Sequence, residues 1–98
     1  MEYRITINDS QGKWAVISDT QEGLLGHHYK FKPLKAVIVK DSYDESDLYY
    51  FRNVKTPIPA GTEVVIDNWW QNFYGSYFRI IYNEQEYDVL TNCVKIEN

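Results

Sequence analysis

The sequence predicts a single, small, all-β domain. Along most of the chain, apolar side chains alternate with polar ones at a period of two, as they do on strands with one buried face. Clusters of Asn, Asp, Gly and Pro interrupt this pattern at short intervals, and no segment has the length and the period of a long helix. The chain of 98 residues fits one domain. Short strands separated by frequent turns are typical of a β-sandwich or a β-barrel.

The first part of the chain predicts a hairpin that packs on the remainder. Residues 3–7 and 14–17 each alternate between apolar and polar side chains, and the residues at 8–12 between them are turn-forming. Two strands alone are too few to be stable in water. We therefore expect residues 1–33 to form an N-terminal β-hairpin extension, of which residues 19–33 show no clear period.

Most of the predicted strands lie within residues 34–97. The run at 34–40 is the clearest, because three consecutive β-branched residues, at 37–39, fall within it. Further strands are predicted at 48–51, 62–67, 76–82, 86–90 and 94–96. Two connections stand out from the ordinary turns, namely an acidic loop at 41–47 and an aromatic connection at 68–75.

From residue 34 to residue 97 the layout resembles an SH3 domain, including the SH3-like domains of bacteria and phages. Residues 67–70 (Asp-Asn-Trp-Trp) follow a valine-rich strand, as the tryptophan pair does in SH3 domains. Residues 87–94 resemble the last SH3 segment, in which a one-turn 3₁₀ helix precedes the closing strand, and residues 41–45 resemble the start of the long acidic loop. The resemblance implies a small SH3-like barrel of five to six short strands with the N-terminal hairpin added.

The sequence departs from peptide-binding SH3 domains at two positions. Those domains usually carry a proline and a tyrosine in the last segment, where both line the groove for proline-rich ligands. Leu90 and Cys93 hold these places here. The resemblance therefore implies the fold and not the recognition of proline-rich peptides, because a fold does not by itself determine a function.

Aromatic side chains are the main functional signal, since Phe, Trp and Tyr make up 16% of the chain. Trp69 and Trp70 are adjacent, so an extended backbone directs them to opposite faces, and the same holds for Tyr49 and Tyr50. The resemblance implies that Trp69 is the exposed tryptophan. We expect an exposed patch anchored by Trp69, Tyr74 and one of the two tyrosines, because large aromatic side chains dominate protein interfaces. The alternative is that a small core simply uses large residues.

The acidic loop is the second signal. Asp44, Glu45 and Asp47 lie within four residues of each other and are suited to recognise Lys or Arg on a partner. The alternative is a solvated loop without a partner. The spacing lacks the glycine and the distal glutamate of an EF-hand loop, so calcium binding is not expected.

No catalytic residue, metal ligand or cofactor site is predicted. His27 and His28 are adjacent, so they diverge on an extended backbone, and no third ligand is near them in the sequence. Cys93 has no neighbour in the sequence that would activate it as a nucleophile. Asp88, near a predicted hairpin tip, is most simply a solubilising residue. We therefore expect the protein not to be an enzyme.

Charge and hydropathy narrow the class of partner. The net charge of −4 and the isoelectric point near 5.0 disfavour nucleic acid, whose binders usually present a basic face. No apolar run approaches the roughly 20 residues that span a bilayer, so no membrane association is expected. No secretory signal opens the chain and it has one cysteine, so we expect a cytoplasmic protein.

These observations favour a non-enzymatic protein-interaction module. Its expected partner-binding residues are Trp69, Tyr74, Tyr49, Tyr50, Asp44, Glu45 and Asp47. The small size and the composition rich in Tyr, Asn and Ile resemble accessory proteins of phages and mobile elements, so a host protein such as a defence nuclease is an expected target. Two alternatives stay open. One is a nucleic-acid-binding module that uses Arg52, Lys55, Arg79 and Lys95, and the other is a small structural subunit of an oligomeric assembly.

Overall fold

The structure, a computed structural model, describes residues 1–97. They form seven strands: β1 (Tyr3–Asn8), β2 (Lys13–Ser18), β3 (Tyr29–Ile38), β4 (Glu63–Asn72), β5 (Gly75–Tyr82), β6 (Gln85–Leu90) and β7 (Val94–Ile96). A short helix, α1 (Glu45–Tyr49), lies between β3 and β4, and a 3₁₀ turn spans Thr91–Cys93. The predicted all-β class is confirmed. Within residues 1–97 no helix is both long and apolar enough to cross a membrane.

The strands form one antiparallel sheet that must curl back on itself. Its order is β1-β2-β3-β4-β5-β6, and β7 pairs with the other edge of β3 through Ala36↔Ile96 to Ile38↔Val94. β6 and β7 are therefore four strand spacings apart, or about 19 Å in a flat sheet. The 3₁₀ turn that joins them has three residues and rises only about 2 Å per residue. The sheet can satisfy both constraints only by bringing β6 round towards β7, as in a barrel.

One hydrophobic core holds all seven strands together. Alternate residues of the N-terminal hairpin, Ile5, Ile7 and Val16, are buried in the same core as the later strands. The turn of this hairpin also covers the outer edge of β7, because Ser10 N–H donates to the Val94 carbonyl at 2.8 Å. In addition, the Asp9 carboxylate accepts the Ile96 N–H at 2.8 Å. The extension is thus joined to the later strands by apolar packing and by hydrogen bonds.

The expectation that Trp69 is the exposed tryptophan is wrong. Trp69 is 2% exposed and packs beside Tyr29, with ring centroids 5.4 Å apart, whereas Trp70 is half-buried on the opposite face of β4. On β4 the buried side chains are those of Val64 and Ile66 and then that of Trp69, so the alternation of buried and exposed residues is broken after Ile66. The pairing register between β3 and β4 shifts at the same place. Adjacent tryptophans do face opposite ways, but this irregularity turns Trp69 inward. A Trp69→Ala variant therefore tests core packing and not partner binding.

The strand predicted at 48–51 is also wrong, because this segment ends the helix α1. Asp44 caps the helix by accepting the Ser46 N–H at 3.1 Å, and Glu45 and Asp47 place negative charge in the first turn. The apolar side chains that suggested a strand are exposed, so they form surface and not one face of a sheet.

Asp44 and Asp47 are buried, so the loop that contains them is anchored and not simply solvated. Besides capping α1, the Asp44 carboxylate accepts the backbone N–H of Asp88 on β6 at 3.0 Å. Its second oxygen accepts from Lys55 Nζ at 2.5 Å, and Asp47 accepts from the same ammonium at 2.9 Å. Asp44 thereby fixes the loop and α1 against the outer edge of β6.

We expect Asp44→Ala to lower the free energy of unfolding by about 3 kcal/mol, because it leaves Lys55 with one carboxylate and the Asp88 N–H without an acceptor. Asp44→Asn keeps an oxygen for the N–H groups, so its stability should lie between those of Asp44→Ala and the unsubstituted chain. Urea denaturation at neutral pH measures the differences. Asp67→Ala is the matched control, because Asp67 is exposed on β4. This substitution should change the free energy of unfolding by less than about 0.5 kcal/mol. Equal losses at both positions would contradict the anchoring role.

Candidate functional site

A groove of about 400 Å³ opens between α1 and the hairpin formed by β4 and β5. Trp70 and Tyr77 form its floor, and Tyr49 and Tyr74 form its walls. We call this feature the aromatic groove. It joins segments that are far apart in the chain because Asp44 holds α1 beside β6, next to β5 in the sheet.

The floor of the aromatic groove is a column of stacked rings. Trp70 stacks on Tyr77 with centroids 4.7 Å apart and an interplanar angle of 28°. His28 lies against Trp70 at 5.2 Å, and its Nδ1 is 2.7 Å from Asn68 Oδ1. The indole of Trp70 is therefore held between two neighbouring rings, and the floor is fixed in advance of any binding.

Asp88 holds the Trp70 indole by accepting its N–H, a role that the sequence analysis did not predict. It is 4% exposed, so its interpretation as a solubilising residue is wrong. One oxygen accepts from Trp70 Nε1 and Arg79 Nε, both at 3.1 Å, and the other accepts from Ser46 Oγ at 2.7 Å and Arg79 Nη2 at 3.1 Å. Burial raises the pKa of Asp88, but the hydrogen bonds from Arg79, Ser46 and Trp70 outweigh it and hold the pKa below its usual value.

The walls are the tyrosines that the sequence singled out. Tyr49, Tyr50 and Tyr74 are 58%, 62% and 75% exposed, and the ring centroids of Tyr49 and Tyr74 lie 5.7 Å apart. Tyr50 packs edge-on against Tyr49 at 4.9 Å. Two phenylalanines adjacent to these walls in the chain, Phe51 and Phe73, are 96% and 89% exposed. The structure thus brings Tyr49, Tyr50 and Tyr74 together. The tryptophan beside them is Trp70, whereas the sequence predicted Trp69.

Glu45 is the only one of the three predicted partner-binding acids that lines the aromatic groove. Asp44 and Asp47 turn inward to Lys55 instead. Burial, together with the neighbouring charge of Asp44, raises the pKa of Glu45. In the part of the chain that the structure describes, Glu45 forms no ion pair, so its charge is available to a ligand.

Three of the four cations that a nucleic-acid module would use, Arg52, Lys55 and Arg79, line one pocket, but two of them are neutralised there by carboxylates. Lys55 is held by Asp44 and Asp47, and Arg79 is held by Asp88. Burial lowers the pKa of Lys55, but its hydrogen bonds to Asp44 and Asp47 outweigh this and raise the pKa above its usual value. The charges of Lys55 and Arg79 are therefore neutralised by carboxylates of this protein, so neither side chain is well suited to bind a phosphate group.

The remaining candidates for chemistry have structural roles. Cys93 is buried in the core, and His27 packs edge-on against Tyr29 at 4.9 Å. Among residues 1–97, no three His, Cys, Asp or Glu side chains are grouped so that they could hold a metal ion. Comparison of the chain with protein-family models, with curated proteins and with solved structures gives no significant match.

The ion pairs beside the groove predict acid sensitivity. Hydrogen bonding from Lys55 lowers the pKa of Asp47 against the opposing effect of burial, and the pKa of Asp88 is lowered as described above. A carboxyl whose pKa is lower in the folded chain stabilises the fold fully above its unfolded pKa, about 4, and this stabilisation is lost as pH falls through the folded value. Urea denaturation should therefore show stability falling below about pH 4, and less steeply in Asp47→Asn and Asp88→Asn.

Glu45 provides the control of opposite sign. Because its pKa is raised by folding, ionised Glu45 disfavours the folded state, and the penalty disappears as pH falls through its folded pKa. Glu45→Gln should raise stability at neutral pH and leave the acid-induced loss in place. An unchanged pH profile in both aspartate variants would show that these ion pairs do not set the acid limit.

Proposed function

We propose that this protein is a non-enzymatic interaction module that binds a partner protein at the aromatic groove. The observation that carries this proposal is the cluster of exposed tyrosines over a fixed Trp70–Tyr77 floor. The core does not need these side chains, since it is already filled by residues such as Trp69 and Phe78. Tyr and Trp supply much contact area with little loss of side-chain freedom, which makes them common anchors of binding energy.

We further propose that residues 34–97 are an SH3-like barrel. The supporting features are the β3-β4-β5-β6 order and the return of β7 to β3 through a one-turn 3₁₀ helix. Recognition of proline-rich peptides has no such support. Leu90 is half-buried and Cys93 is buried, so neither supplies the ring that such a groove uses.

The groove suits a partner that presents an arginine or a lysine. A cation against the exposed faces of the Tyr49 and Tyr74 rings would be attracted by their negative charge density, and the Glu45 carboxylate would pair with its charge. This chemistry favours a basic partner in the cytoplasm, such as a nucleic-acid-handling host protein targeted by a phage or mobile-element accessory protein. It is preferred over direct nucleic-acid binding because Lys55 and Arg79 are already neutralised by carboxylates.

The cation preference can be tested with a small probe. In an NMR titration, N-acetyl-arginine methylamide should shift the Trp70 indole N–H resonance more than N-acetyl-citrulline methylamide, which has the same shape without the charge. Glu45→Gln should weaken arginine binding by about fivefold, the size of one partly exposed ion pair. Glu63→Gln, at an exposed site on β4, should leave it unchanged. Equal binding of the two probes would reject the role of Glu45.

Binding of a partner protein is tested by capture from the source cells. Tyr49→Ser combined with Tyr74→Ser removes both walls and should abolish recovery of a partner that the unsubstituted chain retains, because interface energy is concentrated in such anchors. The matched control is Val65→Ser combined with Ile81→Ser. These two apolar residues are similarly exposed, at 60% and 64%, and do not line the groove. Loss of the partner in both double variants, or in neither, would contradict the proposal.

A further inference from the structure

Two opposite charges beside the aromatic groove lack ion-pair partners within residues 1–97. Glu45 lies in the groove, and Arg52 lies at its rim, where the guanidinium carbon is 4.9 Å from the centre of the Tyr50 ring. The two are seven positions apart around α1 and do not reach each other. The same small surface thus offers one carboxylate and one guanidinium to another molecule.

Phe51 projects from the same rim in a conformation that the core does not require. It is 96% exposed and has φ of 54°, in the left-handed region that costs a residue with a Cβ about 1 kcal/mol. The turn is fixed on either side, because Tyr50 N–H donates to the Ser46 carbonyl and Arg52 N–H donates to the Asp47 carbonyl, both at 3.0 Å. The fold therefore holds an aromatic ring out into solvent beside the Arg52 guanidinium.

We propose that a second copy of this chain occupies the aromatic groove in a two-fold symmetric dimer. Phe51 of each copy enters the groove of the other, and Arg52 of each copy pairs with Glu45 of the other. A two-fold interface requires a self-complementary surface, and this one carries a projecting ring with a recess, and a cation with an anion. The groove volume of about 400 Å³ is ample for a phenyl ring.

The dimer would regulate the site on which the proposed function rests. Phe51 and Arg52 present the combination of apolar ring and cation that the groove is suited to accept, so the chain carries a copy of its own ligand. A contact confined to one end of so small a molecule buries little area, and we expect weak, concentration-dependent association. Self-association then blocks the groove at high concentration and leaves it open in the monomer.

Sedimentation equilibrium of the intact chain tests the dimer directly. The mean mass should rise from 11.6 kDa towards twice that value as protein concentration increases. Glu45→Arg and Arg52→Glu should each weaken association at least tenfold by placing like charges opposite each other. The double variant, Glu45→Arg with Arg52→Glu, should restore it by reversing both pairs. Phe51→Asn, which tolerates the left-handed turn and lacks the ring, should be monomeric and no less stable than the unsubstituted chain.

A mass of 11.6 kDa at every concentration would overturn the dimer, as would failure of the double variant to recover association lost in the single ones. The matched controls are Glu63→Arg and Lys95→Glu, which reverse charges at exposed sites outside the groove and should not alter association. Circular dichroism confirms that each variant is folded. The arginine-probe titration is run below the dimerisation range, where the groove is open. Arginine binding together with a mass of 11.6 kDa at every concentration would overturn the dimer and leave the proposed function intact.

Discussion

The carboxylate of Asp44 joins three parts of the chain that are distant in sequence. One oxygen accepts the N–H groups of Ser46 and Asp88, and the other accepts the ammonium of Lys55. The N-terminus of α1, the outer edge of β6 and the segment that follows α1 therefore meet at one buried anion. Each contact helps to offset the cost of burying the charge, and together they form a network whose members depend on one another. The long connection between β3 and β4 takes its position from this point.

The aromatic groove follows from the same anchor. Asp44 holds the backbone of Asp88, and the side chain of Asp88 in turn holds Trp70 and Arg79. One wall of the aromatic groove comes from α1, and its floor comes from the sheet. The buried carboxylates of Asp44 and Asp88 hold this wall and this floor in their relative positions. Four of the fourteen acidic residues, Asp9, Asp44, Asp47 and Asp88, are thus buried and have structural roles. Of the three acids at 44, 45 and 47, Glu45 is the one that lines the groove, so these acids are not equivalent surface charges.

The sequence was sufficient for most of the strands, although it predicted a false strand at 48–51, and it was insufficient for the features that depend on distant partners. Alternation predicted the N-terminal hairpin and the strands near the C-terminus, because their burial is a local property of a period of two. The interpretation of Asp44 and Asp88 failed because Lys55, Trp70 and Arg79, which bury them, are brought near only by folding. The orientation of the tryptophan pair failed for a related reason, since a register shift with β3 reverses the phase of β4. Tyr74 was identified correctly as exposed, whereas Tyr49 and Tyr50 are both exposed because they lie at the end of a helix and not on a strand that would bury one of them.

The edge strands of this protein carry a further consequence. Three edge strands direct a backbone N–H outward, and in each case a carboxylate accepts it: Glu22 on β1 at Thr6, Asp44 on β6 at Asp88 and Asp9 on β7 at Ile96. Those are the donors that a strand from another molecule would need for growth of a continuous intermolecular sheet. Each carboxylate occupies its donor, so a strand from another molecule cannot use that N–H without displacing a side chain. We expect these contacts to hinder the edge-to-edge association to which a chain so rich in strands is exposed.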